Sequence, residues 1–319
     1  MAEMDEGFRR MLAAEAEAAA GQPRPRTGSV PIELVRAGYR ARRRAQDLSP
    51  PADVDAIELE VAGGDGDRPA RLYTPPGLEG RSALLVYFHG GGFVLGDLDS
   101  HDGHCRRLAK GAGLQVLAVE YRLAPENPFP SAHDDALAAT RWAFDHADDL
   151  KADRSRIAVG GDSAGGNLAA SVACSLADED AYRPAFQLLL YPVIWPEAET
   201  ESRSSLDGPV LTREGLAWFD ACLGARGHAE ARRALLENAV ARTPALVVTA
   251  GHDPLKDEGR AFAESLARFG VPAQHVEHAT MIHDFFLMAD VSPAVAEIAA
   301  ETAQALRAAL ALPGVDADS

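Results

Sequence analysis

Short apolar runs punctuate the chain from residue 83 onward, at residues 83–88, 114–119, 156–160, 187–191, 245–250 and 274–277. Between them, apolar positions recur at helical spacing over 131–144, 167–177, 257–269 and 293–312. Short runs alternating with amphipathic helices predict an α/β fold, a mostly parallel sheet covered by helices on both faces. Ahead of this rhythm, residues 54–61 and 69–73 alternate about a glycine- and aspartate-rich turn, which predicts an antiparallel hairpin leading into the core.

Two regions stand outside the rhythm. Residues 1–50 hold two helical stretches split by a Gly-Gln-Pro-Arg-Pro break at 21–25. Residues 197–242 carry charged residues, Gly208-Pro209 and a helix-like segment at 212–223 with Trp218 and Phe219. The pattern divides the chain into an N-terminal helical cap segment (1–50), a first core part (51–196), a cap insertion (197–242) and a second core part (243–319). The two outlying regions together predict a lid over a site at the carboxyl ends of the strands.

Two glycine-flanked motifs occupy such strand ends: His89-Gly90-Gly91-Gly92-Phe93, and Gly161-Asp162-Ser163-Ala164-Gly165. A serine exposed on a tight strand-to-helix turn leaves no room for side chains two residues to either side, and Gly161 and Gly165 supply that room. Ser163 is therefore the candidate nucleophile. The N–H groups of Gly91, Gly92 and Ala164, with Gly90 as a further candidate, can surround a developing oxyanion. Together the motifs point to acyl transfer.

A serine hydroxyl needs a base and an orienting carboxylate, and on such an elbow they follow in the order Ser, Asp or Glu, His. Asp253 follows the apolar run at 245–250 and His283 follows the next one, so both fall where order and strand ends require. His89, His252, His275 and His278 compete for the base, but none lies in the loop after the last strand. Asp257 and Glu258 compete for the acid; at the start of a helix they serve as helix-terminal carboxylates. Asp284 adjoins the base and reads as a residue that fixes the loop. Candidate pocket residues are Phe93, Trp218, Phe219 and Phe285.

Composition narrows the partners. The chain has 319 residues, 47% of them hydrophobic, which is ample for a large core. Net charge is −17, from 31 Lys and Arg against 48 Asp and Glu, and this opposes binding to nucleic acid or anionic lipid. The dense arginine run at 36–44 reads as a solvated helix face. The apolar stretch at 188–195 is interrupted by Pro192 and falls far short of the roughly 18 residues of a membrane span. The first residues have no signal-peptide apolar core, so cytoplasmic residence is expected. Cys105, Cys174 and Cys222 lack metal or disulfide spacing and are expected to be reduced. His101-Asp102-Gly103-His104-Cys105 lacks a fourth zinc ligand, and residues 160–166 lack dinucleotide-binding spacing, so neither metal nor cofactor is expected.

With these residues in place, the chain resembles the bacterial branch of the hormone-sensitive-lipase-like family of α/β-hydrolase carboxylesterases. The resemblance rests on the two glycine motifs, Tyr121-Arg122-Leu123-Ala124-Pro125-Glu126, Asp253-Pro254-Leu255-Lys256-Asp257-Glu258 and His283. It implies an eight-stranded α/β-hydrolase sheet, a helical cap, and cofactor-free hydrolysis of short to medium acyl esters by Ser163, Asp253 and His283. Two departures stand out: Asp284 replaces the usual glycine after the histidine, and the segment before Ala245 lacks the common Ser-Pro-Leu stretch. An amidase or formamidase on the same fold, and a silent ligand-binding scaffold, are the alternatives. The run at 274–277 is placed at a sheet edge, where pairing with a second copy would give a homodimer.

Overall fold

A computed structural model of the chain describes residues 2–21, 28–194, 200–224 and 242–311. Two helices, α1 (Glu6–Ala18) and α2 (Ile32–Gln46), precede the hairpin of β1 (Asp55–Ala62) and β2 (Asp67–Thr74). There follow β3 (Ser82–Phe88), α3 (Asp102–Ala112), β4 (Gln115–Val119), α4 (Ser131–Asp145), β5 (Ala152–Asp162), α5 (Ala164–Ser175) and β6 (Gln187–Leu190). The chain continues through α6 (Glu201–Ser205), α7 (Arg213–Leu223), β7 (Ala245–His252), α8 (Lys256–Arg268), β8 (Ala273–Ile282) and α9 (Pro293–Ala309). The segments at 22–27, 195–199, 225–241 and 312–319, including much of the cap insertion and the end of the last helix read from the sequence, lie outside the described residues.

The strands form one eight-stranded sheet in the order β1-β2-β4-β3-β5-β6-β7-β8, antiparallel across β1, β2 and β4 and parallel from β4 to β8. The hydrophobic pattern explains the layering. Successive side chains of β3 enter opposite cores: Leu84, Val86 and Phe88 pack with α4 and α5, while Leu85 and Tyr87 pack with α3 and α9. A strand buried on both faces reads as an unbroken apolar run, which is why β3 stands out in the sequence.

Several bounds differ from the sequence reading; β5, for example, starts at Ala152 and not at 156. β8 extends from Ala273 to Ile282, so Thr280, Met281 and Ile282 are strand and not loop. As an edge strand it alternates exposed polar with half-buried positions, so its apolar signal is weak. The helix after the elbow begins at Ala164, three residues before the apolar pattern at 167, because Gly165 and Gly166 are drawn into the helix by close packing. Finally, α3 begins within the His and Cys cluster and ends at Gly113, whose left-handed φ of 65° closes the last turn.

The arginine run at 36–44 is not a solvated face. On α2, Arg36 donates to the Val94 and Ala124 carbonyls and pairs with Glu126. Arg40 pairs with Asp97, Arg42 with Glu15, Arg44 with Asp99 and the buried Arg43 with Asp284. Helical spacing directs four of these side chains onto loops at the strand ends, where carboxylates await them. This seats α2 over the carboxyl edge of the sheet.

Candidate active site

Ser163 sits between β5 and α5 with φ 52° and ψ −115°, a conformation L-residues rarely adopt. Two features hold it there. Its N–H donates to Leu190 O at 2.9 Å, and its carbonyl accepts the Val193 N–H at 3.1 Å. The flanking glycines are sterically obligatory: a Cβ on Gly165 would lie 1.9 Å from the Phe88 carbonyl oxygen, and one on Gly161 would lie 2.4 Å from the same atom. The motif spacing thus reflects how closely the elbow crosses the end of β3.

The three residues expected from chain order converge. His283 Nε2 lies 3.0 Å from Ser163 Oγ, and His283 Nδ1 lies 2.6 Å from Asp253 Oδ2. Asp253 follows directly on the end of β7 and opens the turn into α8, and its other oxygen accepts the Leu255 N–H at 2.9 Å, which fixes the carboxylate. All three side chains are buried. Burial by itself would lower the imidazole's proton affinity, but the carboxylates of Asp253 and Asp284 outweigh it and raise the His283 pKa to about 9. Asp253 is the deep partner on Nδ1, while Asp284 Oδ1 stands 3.2 Å from Nε2.

The competing residues have other surroundings. His275 faces Thr249, and His89 stacks on Tyr121 with ring centroids 4.3 Å apart. His101 faces Asp162, and His104 packs against the Tyr87 ring. Asp257 and Glu258 lie in the first turn of α8, and Glu258 is in addition buried, pairs with Arg203 of α6 and accepts the Ile194 N–H. Asp257 accepts the Ser202 N–H, so both acids anchor α6.

Of the four oxyanion candidates, Gly90 is excluded, because its N–H already donates to Asp162 Oδ1 at 3.0 Å. Gly91 and Gly92 line the cavity beside Ser163 at φ 112° and 63°, and their N–H groups have no acceptor among the described residues. Asp162 carries no signal in the sequence, where it is only the variable position before the serine. It is fully buried and also accepts from Tyr87 OH at 2.7 Å. Burial opposes its charge, yet His101, His104 and these donors hold it well below the usual carboxylate range.

The cavity over Ser163 has a volume of about 210 Å³. Its apolar wall includes Phe93, Leu95, Val193, Leu211, Leu216 and Phe219, and Tyr39 and Arg43 of α2 enter from above. Two pocket candidates are misplaced by sequence reasoning. Phe285 is fully buried against Tyr191 and Phe286, because the left-handed turn at Asp284 swings the chain into a short 3₁₀ turn aimed at the core. Trp218 lies behind Phe219, their ring centroids 5.1 Å apart, and does not line the cavity.

A serine on a strained elbow, a buried histidine and aspartate in line with it, and an eight-stranded sheet define a serine hydrolase of the α/β class. Residues 85–287 match the family described as alpha/beta hydrolase fold. Esterase LipI of Mycobacterium tuberculosis is 39% identical over 287 residues, spanning 88% of this chain and 89% of the relative. The ethyl acetate hydrolase of Pseudomonas putida is 40% identical over 245 residues, covering 73% and 76% of the two chains. Among solved structures, the hyperthermophilic esterase of the archaeon Pyrobaculum calidifontis superposes with a TM-score of 0.86 at 34% identity, over 97% of this chain and 100% of that one. An ester hydrolase from the metagenome of Lake Arreo gives a TM-score of 0.89 at 34% identity, over 96% and 98%. The chain belongs to the alpha/beta hydrolase family, as a hormone-sensitive-lipase-like carboxylesterase. It is an enzyme that hydrolyses carboxylic esters.

Proposed function

We propose that Ser163, Asp253 and His283 carry out this hydrolysis on esters of short acyl chains. The alignment of the three side chains at 3.0 and 2.6 Å carries the proposal. His283 Nε2 takes the proton of Ser163 as Oγ attacks the ester carbonyl. The carbonyl oxygen becomes an oxyanion facing the N–H groups of Gly91, Gly92 and Ala164. Asp253 keeps the Nδ1 proton in place and balances the imidazolium charge. Collapse expels the alcohol, which receives the proton from Nε2 and leaves an acyl-enzyme. Water then attacks that ester with His283 again as base, and the acid departs.

The cavity of about 210 Å³ supports short acyl groups, being smaller than the roughly 300 Å³ at which drug-sized ligand pockets begin. Phe219 closes it from α7: a Cβ on Gly92 would lie 2.3 Å from the Phe219 ring. In this reading α1, α2, α6 and α7 form the cap and the rest of the described chain the core. Three cysteines without disulfide spacing fit a reducing, cytoplasmic setting, and the charge of −17 fits a protein without nucleic-acid partners. No described helix is long and apolar enough to cross a membrane. The edge position of β8 supports a homodimer built by strand pairing, which light scattering on a sizing column tests directly.

The decisive experiment is fluorophosphonate labelling beside a p-nitrophenyl ester series of graded acyl length. The wild type should be labelled at Ser163 and prefer acetate to butyrate over longer chains. Ser163→Ala should be unlabelled, with kcat lower by about 10⁴-fold or more. Full activity in that variant would remove the assignment.

A further inference from the structure

His283 Nε2 faces two oxygens. One is Ser163 Oγ at 3.0 Å; the other is Asp284 Oδ1 at 3.2 Å, which makes no hydrogen bond among the described residues. Asp284 follows the histidine with φ 65° and ψ 13°, a left-handed conformation that glycine takes freely and aspartate takes at some cost. A side chain kept at such a position needs a reason, and its second oxygen supplies one: Oδ2 accepts from Arg43 Nη2. Arg43 is 4% exposed, comes from α2 far earlier in the chain, donates to Gln46 at 3.1 Å and lies 4.7 Å from the centroid of the Tyr39 ring. The ion pair thus joins the covering helix to the reacting histidine.

We propose that Arg43 and Asp284 are a positioning pair that sets the electrostatic field on the Nε2 side of His283 and makes the base depend on the seating of α2. The inference rests on the reading of Ser163, Asp253 and His283 given above. A carboxylate beside Nε2 repels the lone pair that must accept the serine proton and attracts the proton once it has moved. Left alone, Asp284 would hold the imidazolium and compete with Ser163 for its N–H. Arg43 draws the opposite oxygen away and offsets part of that charge, which lowers the pH at which Nε2 becomes free for the serine. Displacing α2 removes that counter-charge and strands the histidine in its protonated, unreactive form.

Other groups face the same imidazole and are held constant by the test. Asp253 lies on Nδ1, Asp162 contributes from the end of β5, and the Tyr191 ring after β6 is 4.9 Å away. Tyr39 stands above on α2, while Arg42, Arg203 and Asp220 border the same cavity.

The experiment is the pH dependence of kcat/KM for p-nitrophenyl acetate in full-length wild type, Asp284→Gly, Asp284→Asn and Arg43→Met, with the rate of fluorophosphonate labelling as a second readout. The acid limb marks protonation of His283. Both Asp284 variants lose a negative charge and should move it to lower pH by about one unit, so below the wild-type limb they are up to about tenfold more active than wild type. Arg43→Met loses the counter-charge and should move it to higher pH. Gly and Asn both suit the left-handed turn, so their agreement separates charge from shape, and they stand even if Arg43→Met does not fold. Unmoved limbs in the Asp284 variants, or limbs moving the same way in all three, overturn the pair. Labelling of Ser163 with unmoved limbs would discard the pair alone, whereas activity surviving Ser163→Ala would discard the reading beneath it.

Discussion

The Asp162 carboxylate accepts the Gly90 N–H at 3.0 Å, which joins the residue before Ser163 to the first glycine of the proposed oxyanion loop. The two glycine motifs are therefore one unit, held by a buried charge that also binds Tyr87 OH and faces His101. Asp162→Asn keeps the shape and removes the charge. We expect it to lower stability by about 3 kcal/mol, since His101 and the donors lose their ionised acceptor. The loosened loop should lower kcat about tenfold. Urea unfolding and steady-state kinetics on one preparation check both.

Glycine substitutions should divide sharply by position. Gly165→Ala places a methyl 1.9 Å from a backbone oxygen that cannot retreat, so a loss of about 3 kcal/mol or more and little folded enzyme are expected. Gly38 is helical on α2, and a methyl added there would meet nothing within 4 Å. Gly38→Ala should stabilise by about 0.5–1 kcal/mol and raise Tm without altering kcat. Thermal unfolding followed by circular dichroism decides both.

Acyl-length preference should respond to Phe219. Phe219→Ala removes the ring packed on Gly92 and extends the cavity toward α7. The ratio of kcat/KM for p-nitrophenyl hexanoate over acetate should rise about tenfold, from gain on the long chain and looser hold on the short one. An unchanged ratio would place the acyl group elsewhere in the cavity.

Stability should peak near pH 6.5 for reasons separable by residue. Burial lowers the pKa of His89 and His104 to about 4 in the folded protein. Between about pH 6.5 and 4 the unfolded chain therefore binds more protons, and stability falls as pH falls, by about 1.4 kcal/mol per pH unit for each histidine. His283 has the opposite sign. Its pKa is raised to about 9 by Asp253 and Asp284 against the effect of burial, so its contribution is full below pH 6.5 and fades as pH rises toward 9. Urea midpoints at half-unit steps from pH 4.5 to 9 should trace a maximum between the two limbs.

The parts of this site that sequence reveals are those whose chemistry forces a local pattern. Gly161 and Gly165 are legible because a Cβ cannot fit there, and β3 because burial on both faces makes it uniformly apolar. Ser163, Asp253 and His283 follow from their order at strand ends. What stays hidden depends on partners distant in the chain. Arg43 looks like any surface arginine until Asp284, far along the sequence, is folded against it. Asp162 looks variable until Tyr87 and Gly90 close around it. Nearness to His283 in sequence suggests a pocket role for Phe285, but the backbone at Asp284 reverses its direction.

The arginines of α2 differ in shelter, and ionic strength would act on them unequally. Arg44 and Asp99 are 63% and 44% exposed, while Arg43 and Asp284 are 4% and 10% exposed. Molar salt shortens the screening length to about 3 Å and dissolves the outer pairs while sparing the inner one. In concentrated salt α2 would stay held at Arg43 and at Arg36, whose guanidinium donates to the Val94 and Ala124 carbonyls, while its outer ends loosen.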